Sequence, residues 1–264
     1  MCKECGCGLG VGDVKIGAHG HEHQHEHGHD HEHGHAHSHD HEPGHQTVTL
    51  NRSLMEKNTR LAERNRGFFQ AKKLLVLNVV SSPGSGKTTF IRETAAKLGK
   101  KLRVGVIVGD LATDNDAAKL RTAGIPVVQI TTGTVCHLDA DMVSKAAAQL
   151  DLDKLDVLVI ENVGNLVCPA DYDLGEALRV VLLSTTEGED KPLKYPPMFH
   201  SANVAVITKS DLAAAAGFDR KLALANLKRV SHHAEIFELS AKTGDGMKAW
   251  LDFLVKQRGE NSHS

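Results

Sequence analysis

The chain has 264 residues, a formal net charge of −2 at pH 7 and a pI of about 6.8. This balance gives no basic surface for nucleic acid or an anionic membrane, and an aromatic content of 4% argues against a base-stacking surface. No run approaches the roughly 18 apolar residues of a membrane span, and the N-terminus lacks the apolar core of a secretory signal. We therefore expect a cytoplasmic protein.

The first 45 residues are rich in metal ligands. Cys2, Cys5 and Cys7 form a C-x-x-C-x-C arrangement, and thirteen of the 18 histidines follow within the next stretch of low-complexity sequence. Such a segment has too few apolar residues to fold, so residues 1–45 are predicted to be a disordered metal-binding tail. The histidines of this tract are His19, His21, His23, His25, His27, His29, His31, His33, His35, His37, His39, His41 and His45.

The chemistry of this tail indicates transition metals. Imidazole suits nickel, copper and zinc, whereas thiolate favours the softer metals. Five cysteines in all, clustered with histidine, fit metal binding in a reducing compartment better than a disulfide framework. The sequence leaves open whether the tract is only a metal store, and whether the thiols merely oxidise. It also does not distinguish square-planar nickel from tetrahedral zinc.

Residues 46–73 are predicted to form an amphipathic helix and linker before the main domain. Leu50, Leu54, Leu61 and Phe68 recur at helical spacing from Thr47 to about Gln70. Asn65 and Gly67 are expected to weaken the end of this helix, because neither residue favours a helix interior.

Residues 74–258 alternate between buried strands and helices, for example helices at Lys87–Leu98 and Cys136–Leu150. This alternation predicts an α/β domain with a mostly parallel sheet and helices on both faces. The stretch Glu187–Ser201 is expected to be a long loop, and residues 259–264 a short tail. The predicted strands are Leu74–Val80, Leu102–Val108, Val127–Ile130, Leu155–Ile160, Val180–Leu183, Val204–Ile207 and Ile236–Leu239.

A phosphate-binding loop follows the first strand and opens a helix. The residues predicted to bind the nucleotide here are Gly84, Ser85, Gly86, Lys87, Thr88 and Thr89. The glycines let the backbone N–H groups approach the phosphates, Lys87 would neutralise the β- and γ-phosphates, and Thr88 would bind Mg²⁺. The motif departs from G-x-x-x-x-G-K-S/T, since Ser81 replaces the first glycine.

Two acidic residues at strand ends complete the predicted catalytic set. Asp110 and Glu161 each follow an apolar strand, where open parallel sheets bind their ligands. Together with Lys87 and Thr88 they are predicted to be catalytic, and with Thr88 to hold Mg²⁺. For either acid alone, an ordinary exposed loop carboxylate stays an alternative.

Two later segments predict a preference for guanine. Thr208-Lys209-Ser210-Asp211 resembles the N-K-x-D signature of GTPases, in which the aspartate accepts hydrogen bonds from the guanine amino and ring N–H groups. Ser240-Ala241-Lys242 resembles the S-A-K signature of the next loop. Lys209, Asp211, Ser240, Ala241 and Lys242 are therefore predicted to bind GTP.

A second metal site is predicted inside the domain. Cys136-His137 and Cys168 follow strand ends near the expected γ-phosphate, and together they offer three ligands, one short of a tetrahedral set. A symmetric partner chain could complete the set. Buried cysteines that only fill the core stay an alternative.

Taken together, these motifs resemble the HypB family, the nickel-incorporation GTPases of hydrogenase and urease, over residues 47–258. The resemblance also rests on Glu161–Pro169 and Lys191–Pro196. It implies a Rossmann-like P-loop GTPase domain that forms a homodimer when GTP is bound. It further implies GTP and Mg²⁺ as cofactors, and nickel or zinc held by Cys136, His137 and Cys168 at the dimer interface. In some members, the positions of Cys2, Cys5 and Cys7 form a nickel motif.

The partners that the resemblance implies are a small zinc-containing metallochaperone and the hydrogenase large subunit, with neither nucleic acid nor membrane. Two alternatives stay open. The urease accessory GTPases share the loop but typically carry Cys-Pro-His as the metal motif. The chain could also serve primarily as a nickel store.

Overall fold

The computed structural model describes residues 15–17, 43–99 and 101–260. These residues form one eight-stranded sheet in the order β1-β4-β3-β5-β2-β6-β7-β8. Strands β2 to β8 run parallel, and β1 pairs antiparallel with β4 at one edge. The strands are β1 Lys15–Gly17, β2 Leu75–Val80, β3 Val104–Asp110, β4 Val127–Thr131, β5 Val157–Glu161, β6 Leu178–Ser184, β7 Val204–Thr208 and β8 Glu235–Glu238.

The sheet confirms the predicted fold class, and all seven predicted strands are present. They could be recognised because strands covered on both faces are almost continuously apolar. All residues of β2 are buried, as are those of β5. Helices cover both faces of the sheet: α1 Pro43–Ala71, α2 Lys87–Leu98, α3 Asn115–Thr122, α4 Ala140–Ala147, α5 Lys191–Lys194, α6 Pro196–His200, α7 Arg220–Val230 and α8 Met247–Glu260.

Helix α1 begins earlier than predicted, ends within one residue of the predicted end, and is not weakened there. It begins at Pro43, inside the predicted tail, and it continues through Asn65 and Gly67 to Ala71. Asn65 does not weaken the helix because its side chain is buried and donates hydrogen bonds to two backbone carbonyls of the domain. Tertiary contacts thus outweigh the low intrinsic helix propensity of asparagine. The rest of residues 1–42, apart from β1, lies outside the described residues.

Three further boundaries correct the sequence prediction. The helix predicted from Cys136 begins at Ala140, because Asp139 caps it by accepting the N–H of Met142 at 2.8 Å. The stretch Glu187–Ser201 is not a plain loop but contains α5 and α6, each with proline in its first turn. Helix α8 runs on to Glu260, two residues into the predicted C-terminal tail.

The fold brings the predicted site segments to one edge of the sheet. The phosphate loop follows β2, Asp110 ends β3, Glu161 ends β5, and Thr208 ends β7. Because parallel strands share a direction, all these carboxyl ends meet at the same edge, where such sheets bind ligands. Within the described part of the chain, no helix is long and apolar enough to cross a membrane.

Candidate functional site

The phosphate loop is held open by glycine backbone and serine hydroxyls. Gly84 and Gly86 have φ of 75° and 95°, a left-handed region that residues with a Cβ rarely adopt. Ser81, which replaces the first glycine of the motif, is fully buried, and its Oγ accepts a hydrogen bond from Lys87 Nζ at 3.0 Å. The Ser85 hydroxyl also donates to Ser81 Oγ. The departure from the motif therefore provides a buried oxygen that orients Lys87.

Thr88 and Glu161 meet beneath this loop. The Thr88 hydroxyl donates to Glu161 Oε1 at 2.7 Å, while the buried Oε2 of Glu161 has no hydrogen-bond partner. Burial raises the pKa of Glu161 to about 7, although Thr88 and Lys87 act in the opposite direction. Burial also lowers the pKa of Lys87, against the attraction of Glu161. An orphaned carboxylate oxygen beside a threonine hydroxyl fits the oxygen ligands that Mg²⁺ prefers.

The structure places Asp110 differently from Thr88 and Glu161. Its carboxylate accepts hydrogen bonds from Ala112 N at 3.2 Å and from Thr113 Oγ1 at 3.1 Å, so it shapes the loop after β3. Its charge, like that of Asp116, still raises the pKa of Glu161. Sequence reasoning did not single out Asp116, which lies in the first turn of α3 and accepts a hydrogen bond from Lys119 at 2.8 Å.

The first predicted guanine segment contacts the phosphate loop, and the second contacts the first. Lys209 adopts a left-handed conformation, with φ of 57°, and its Nζ donates to Gly84 O at 2.8 Å. The Thr208 hydroxyl donates to Ser85 O at 3.0 Å. Asp211 Oδ1 accepts the Ser240 hydroxyl at 2.7 Å, so the aspartate and the S-A-K turn lie together. Thr208 thus ties its strand to the phosphate loop in place of the asparagine of the signature.

Cys136, His137 and Cys168 come together as predicted. One ligand atom from each lies within 4.8 Å of the other two, and the two sulfur atoms are 2.9 Å apart. This sulfur distance is too long for a disulfide bond of about 2.05 Å. Cys2, Cys5, Cys7 and the histidines from His19 to His41 lie outside the described residues.

His137 has the properties of a metal ligand. It is 7% exposed, and its Nδ1 is buried without a hydrogen-bond partner. Burial lowers the pKa of His137 despite the nearby charge of Asp139, so the imidazole is neutral and able to donate a lone pair at pH 7. Its ring stacks on Tyr172, with the centroids 3.9 Å apart, and this contact fixes the plane of the imidazole.

One short segment joins the nucleotide site to the cysteine site. It begins at Glu161, which contacts Thr88, and reaches Cys168 seven residues later. Between them, Asn162 is fully buried; its Oδ1 accepts the N–H of Leu138 at 3.4 Å, and its Nδ2 donates to Asn78 Oδ1 at 3.2 Å. Asn162 therefore connects the residue after His137 with the central strand of the sheet.

This edge of the sheet defines a P-loop nucleotide-binding protein with the GTPase form of the fold. The nucleotide-binding domain of the CobW/HypB/UreG family matches residues 75–238. The hydrogenase maturation factor HypB of Escherichia coli K12 is 52% identical over 205 residues, covering 78% of this chain and 71% of that protein. The chain belongs to the HypB family of hydrogenase maturation factors.

Two solved structures of this family have the same fold. HypB from Helicobacter pylori, crystallised in complex with nickel, has a TM-score of 0.74 and 42% identity, and the match covers 78% of this chain and 96% of that one. HypB from Archaeoglobus fulgidus has a TM-score of 0.72 and 40% identity, covering 77% and 99%. The predicted family and fold are therefore confirmed.

Proposed function

We propose that this chain hydrolyses GTP and binds nickel that it delivers for maturation of NiFe hydrogenase. Its relatives are hydrogenase maturation factors, and one of them was crystallised with nickel. The observation that carries the proposal is the segment from Glu161 to Cys168, which joins the threonine of the phosphate loop to a metal ligand. A change at the γ-phosphate can therefore reach the metal ligands through a single loop.

In this proposal, GTP binds through the phosphate loop and the two guanine segments. The N–H groups around Gly84 and Gly86 and the N-terminus of α2 face the phosphates, and Lys87 neutralises their charge. Asp211 accepts hydrogen bonds from guanine, which adenine cannot donate at the same positions. Mg²⁺ would be held by Thr88 and Glu161, assisted by Asp110, and supplies charge neutralisation at the phosphates. No arginine finger is evident in the sequence, so hydrolysis by the chain alone is slow, which suits a switch.

Nickel, or zinc in its place, binds as cargo to Cys136, His137 and Cys168. These three ligands leave a four-coordinate metal one donor short, and a second copy of the chain can supply or bridge the missing position. Because one segment joins Glu161, which contacts Thr88, to the ligand Cys168, GTP favours a homodimer that organises the metal site. Hydrolysis then loosens the dimer and releases the metal to its recipient.

The test is the dependence of metal binding on nucleotide. Nickel and zinc stoichiometry and oligomeric mass are measured for the full chain with GDP and with a non-hydrolysable GTP analogue. Because the tail also binds metal, the Cys136→Ala/Cys168→Ala variant serves as the matched control. We expect the analogue to increase dimer mass and to add metal that the variant does not bind.

Two results would contradict the proposal. If neither stoichiometry nor mass depended on nucleotide, the chain would not be a nucleotide-gated carrier. If the double-cysteine variant responded to GTP as the unaltered protein does, the interface site would not be Cys136, His137 and Cys168. In the second case the coupling would have to reside in the tail.

The histidine tract of the tail acts in nickel storage, whereas Cys2, Cys5 and Cys7 form a separate, tighter metal site. We propose that the chain works in the cytoplasm with a small zinc-containing metallochaperone and the hydrogenase large subunit. Deleting residues 19–45 separates storage from delivery. Loss of nickel resistance with intact hydrogenase maturation indicates storage, whereas loss of maturation at ample nickel places the tract in delivery.

A further inference from the structure

We infer that Asn58 and Asn65 of helix α1 are positioning residues for the Cys136–His137–Cys168 site. This inference rests on the proposed function of that site. The three ligands come from two separate pieces of chain, here named the first ligand segment, residues 136–140, and the second ligand segment, residues 168–174. Helix α1 bridges these two segments and so fixes the distance between the cysteines.

Asn58 contacts both ligand segments with one amide. Its Oδ1 accepts the N–H of Ala140 at 2.9 Å, and its Nδ2 donates to Asp173 O at 2.9 Å. Ala140 lies three residues after His137, and Asp173 lies five residues after Cys168. Since a primary amide carries its acceptor and donor on one rigid plane, the two backbones are held at a fixed separation.

Asn65 repeats the same bridge two helical turns later. Its Nδ2 donates to Ala140 O at 2.7 Å and to Leu174 O at 3.1 Å. Ala140 thus has both its N–H and its C=O bound by asparagines of α1, and neither asparagine is more than 6% exposed. Residues seven positions apart share one face of a helix, so both bridges lie along the same line.

Two further contacts fasten the second ligand segment to α1. Arg66 Nη2 donates to both carboxylate oxygens of Asp173, at 2.8 and 2.6 Å. Gly175, the residue directly after this segment, lies so close to the helix that an added Cβ would come within 2.6 Å of Ala62 O. Tyr172, which stacks on His137, belongs to this same segment. The helix therefore controls both the ligand spacing and the ring that supports the imidazole.

This arrangement has a consequence for metal affinity. Partners that orient metal ligands through a second layer of hydrogen bonds typically change affinity by about 10- to 100-fold when removed. If the bridges only stabilised the fold, removing them would lower metal affinity no more than removing a similar buried hydrogen bond elsewhere in the protein. If they position the ligands, metal affinity falls while guanine nucleotide affinity is retained.

The first experiment compares Asn58→Ala and Asn65→Ala with the unaltered full chain. Nickel sulfate is titrated in GDP or a non-hydrolysable GTP analogue, and protection of Cys136 and Cys168 against alkylation is read by peptide mass spectrometry. The peptide readout separates these thiols from those of the tail. We expect the nickel midpoint to rise about 10- to 100-fold in both variants, with unchanged affinity for a fluorescent GDP.

Asn226→Ala is the matched control. Asn226 is also a buried asparagine that ties a helix to a loop, since its Nδ2 donates to Glu189 O at 2.9 Å, but it contacts neither ligand segment. Its nickel midpoint should equal that of the unaltered protein. If the α1 variants also matched the unaltered protein, the inference would be wrong. If nickel protected neither cysteine in the unaltered protein, the proposed site itself would fail as well.

A second measurement uses the unaltered protein, so it does not depend on whether the α1 variants fold. If α1 holds the ligand segments, nickel binding must in return stabilise α1, because coupling is reciprocal. Hydrogen exchange in peptides covering residues 58–66 should slow on adding nickel to the unaltered protein. The Cys136→Ala/Cys168→Ala variant shows how much of the slowing is caused by nickel bound to the tail. Exchange in α7 serves as the internal reference. Equal slowing in the unaltered protein and the double-cysteine variant would overturn the inference.

Discussion

Gly164 lies where the segment from Glu161 to Cys168 touches the phosphate loop. A Cβ added at this glycine would come within 3.1 Å of Pro83 Cγ, 3.2 Å of Pro83 Cα and 3.3 Å of Pro83 N. Two of these three atoms are backbone, which cannot move aside without displacing the loop itself. Gly164 therefore allows two segments of the same chain to approach closely, and it is not needed for an unusual φ.

We predict that Gly164→Ala weakens GTP binding by about 10-fold, the equivalent of roughly 1.4 kcal/mol. The added methyl group has to displace the backbone of Pro83, and with it the N–H groups that Gly84 and Gly86 present to the phosphates. Equilibrium titration with a fluorescent GTP analogue measures the effect.

Gly67→Ala provides the control, because nothing lies within 4 Å of a Cβ added there in helix α1. This substitution should leave nucleotide affinity unchanged and raise the free energy of unfolding by about 0.4–1 kcal/mol. Equal GTP affinity in Gly164→Ala and the unaltered protein would show that the two segments separate in solution.

Sequence alone predicts those site residues that follow a local pattern. The phosphate loop, Asp211, Cys136 and Cys168 follow strand ends, and the motif spacing determined their positions before any contact was known. Sequence did not indicate Asn162 and Asn78, which are 84 residues apart and meet only because β5 pairs with β2. An asparagine that binds backbone across the fold has no periodic signature.

At the scale of elements, helix α8 is anchored to α2 by one buried hydrogen bond. Trp250, the single tryptophan of the chain, is fully buried, and its indole N–H donates to Thr94 Oγ1 at 3.0 Å. Its ring also contacts Phe90 of α2, with centroids 5.3 Å apart, and Phe237 of β8. The tryptophan therefore reports on the docking of α8.

We predict that Thr94→Val lowers the free energy of unfolding by about 1–3 kcal/mol, because valine fills the same space but leaves the indole N–H unsatisfied. Denaturant unfolding followed by tryptophan emission measures the loss. Thr122→Val is the matched control, since Thr122 is exposed and its hydroxyl donates a hydrogen bond to Ala118 O of the same helix. Its effect should stay within about 0.5 kcal/mol. Equal effects of the two substitutions would contradict the role given to Thr94.

The elements that the sequence predicted well are those with strong local patterns. The buried strands and α2 were identified from apolar runs and from the lysine that follows Gly86, and α2 has the predicted bounds. Helix α1 and the pair α5 and α6 were described incompletely. Helix α1 is stabilised by the hydrogen bonds from Asn65 to Ala140 and Leu174, and α6 is stabilised by burial of Met198 and Phe199. Such long-range contacts are invisible to local propensity.

For the whole molecule, the sheet order separates the two binding functions on either side of the phosphate loop. The guanine segments follow β7 and β8 on one side of β2, whereas the cysteine site follows β4 and β5 on the other. The phosphate loop follows the central strand β2 and contacts both, through Lys209 and through Gly164. Under the proposed function, the nucleotide would therefore bind between the segments predicted to recognise its base and the proposed metal ligands.

This arrangement predicts reciprocal coupling. If a GTP analogue raises nickel affinity at Cys136, His137 and Cys168 by some factor, nickel must raise the affinity for the analogue by that same factor, typically about 5- to 150-fold. The affinity for a fluorescent GTP analogue is measured at one fixed protein concentration, with and without saturating nickel. A fixed concentration is needed because dimerisation makes both affinities depend on it.

Two variants determine which metal ligands are responsible for the coupling between nickel and GTP. Cys136→Ala/Cys168→Ala should lose the nickel effect on GTP affinity, whereas a chain lacking residues 19–45 should keep it, because the tract does not belong to the segment that contacts Thr88. The opposite pattern, with the effect retained in the cysteine variant and lost with the tract, would move the switch to the histidines. Equal GTP affinity with and without nickel in the unaltered protein would show that the two sites act independently despite sharing one loop.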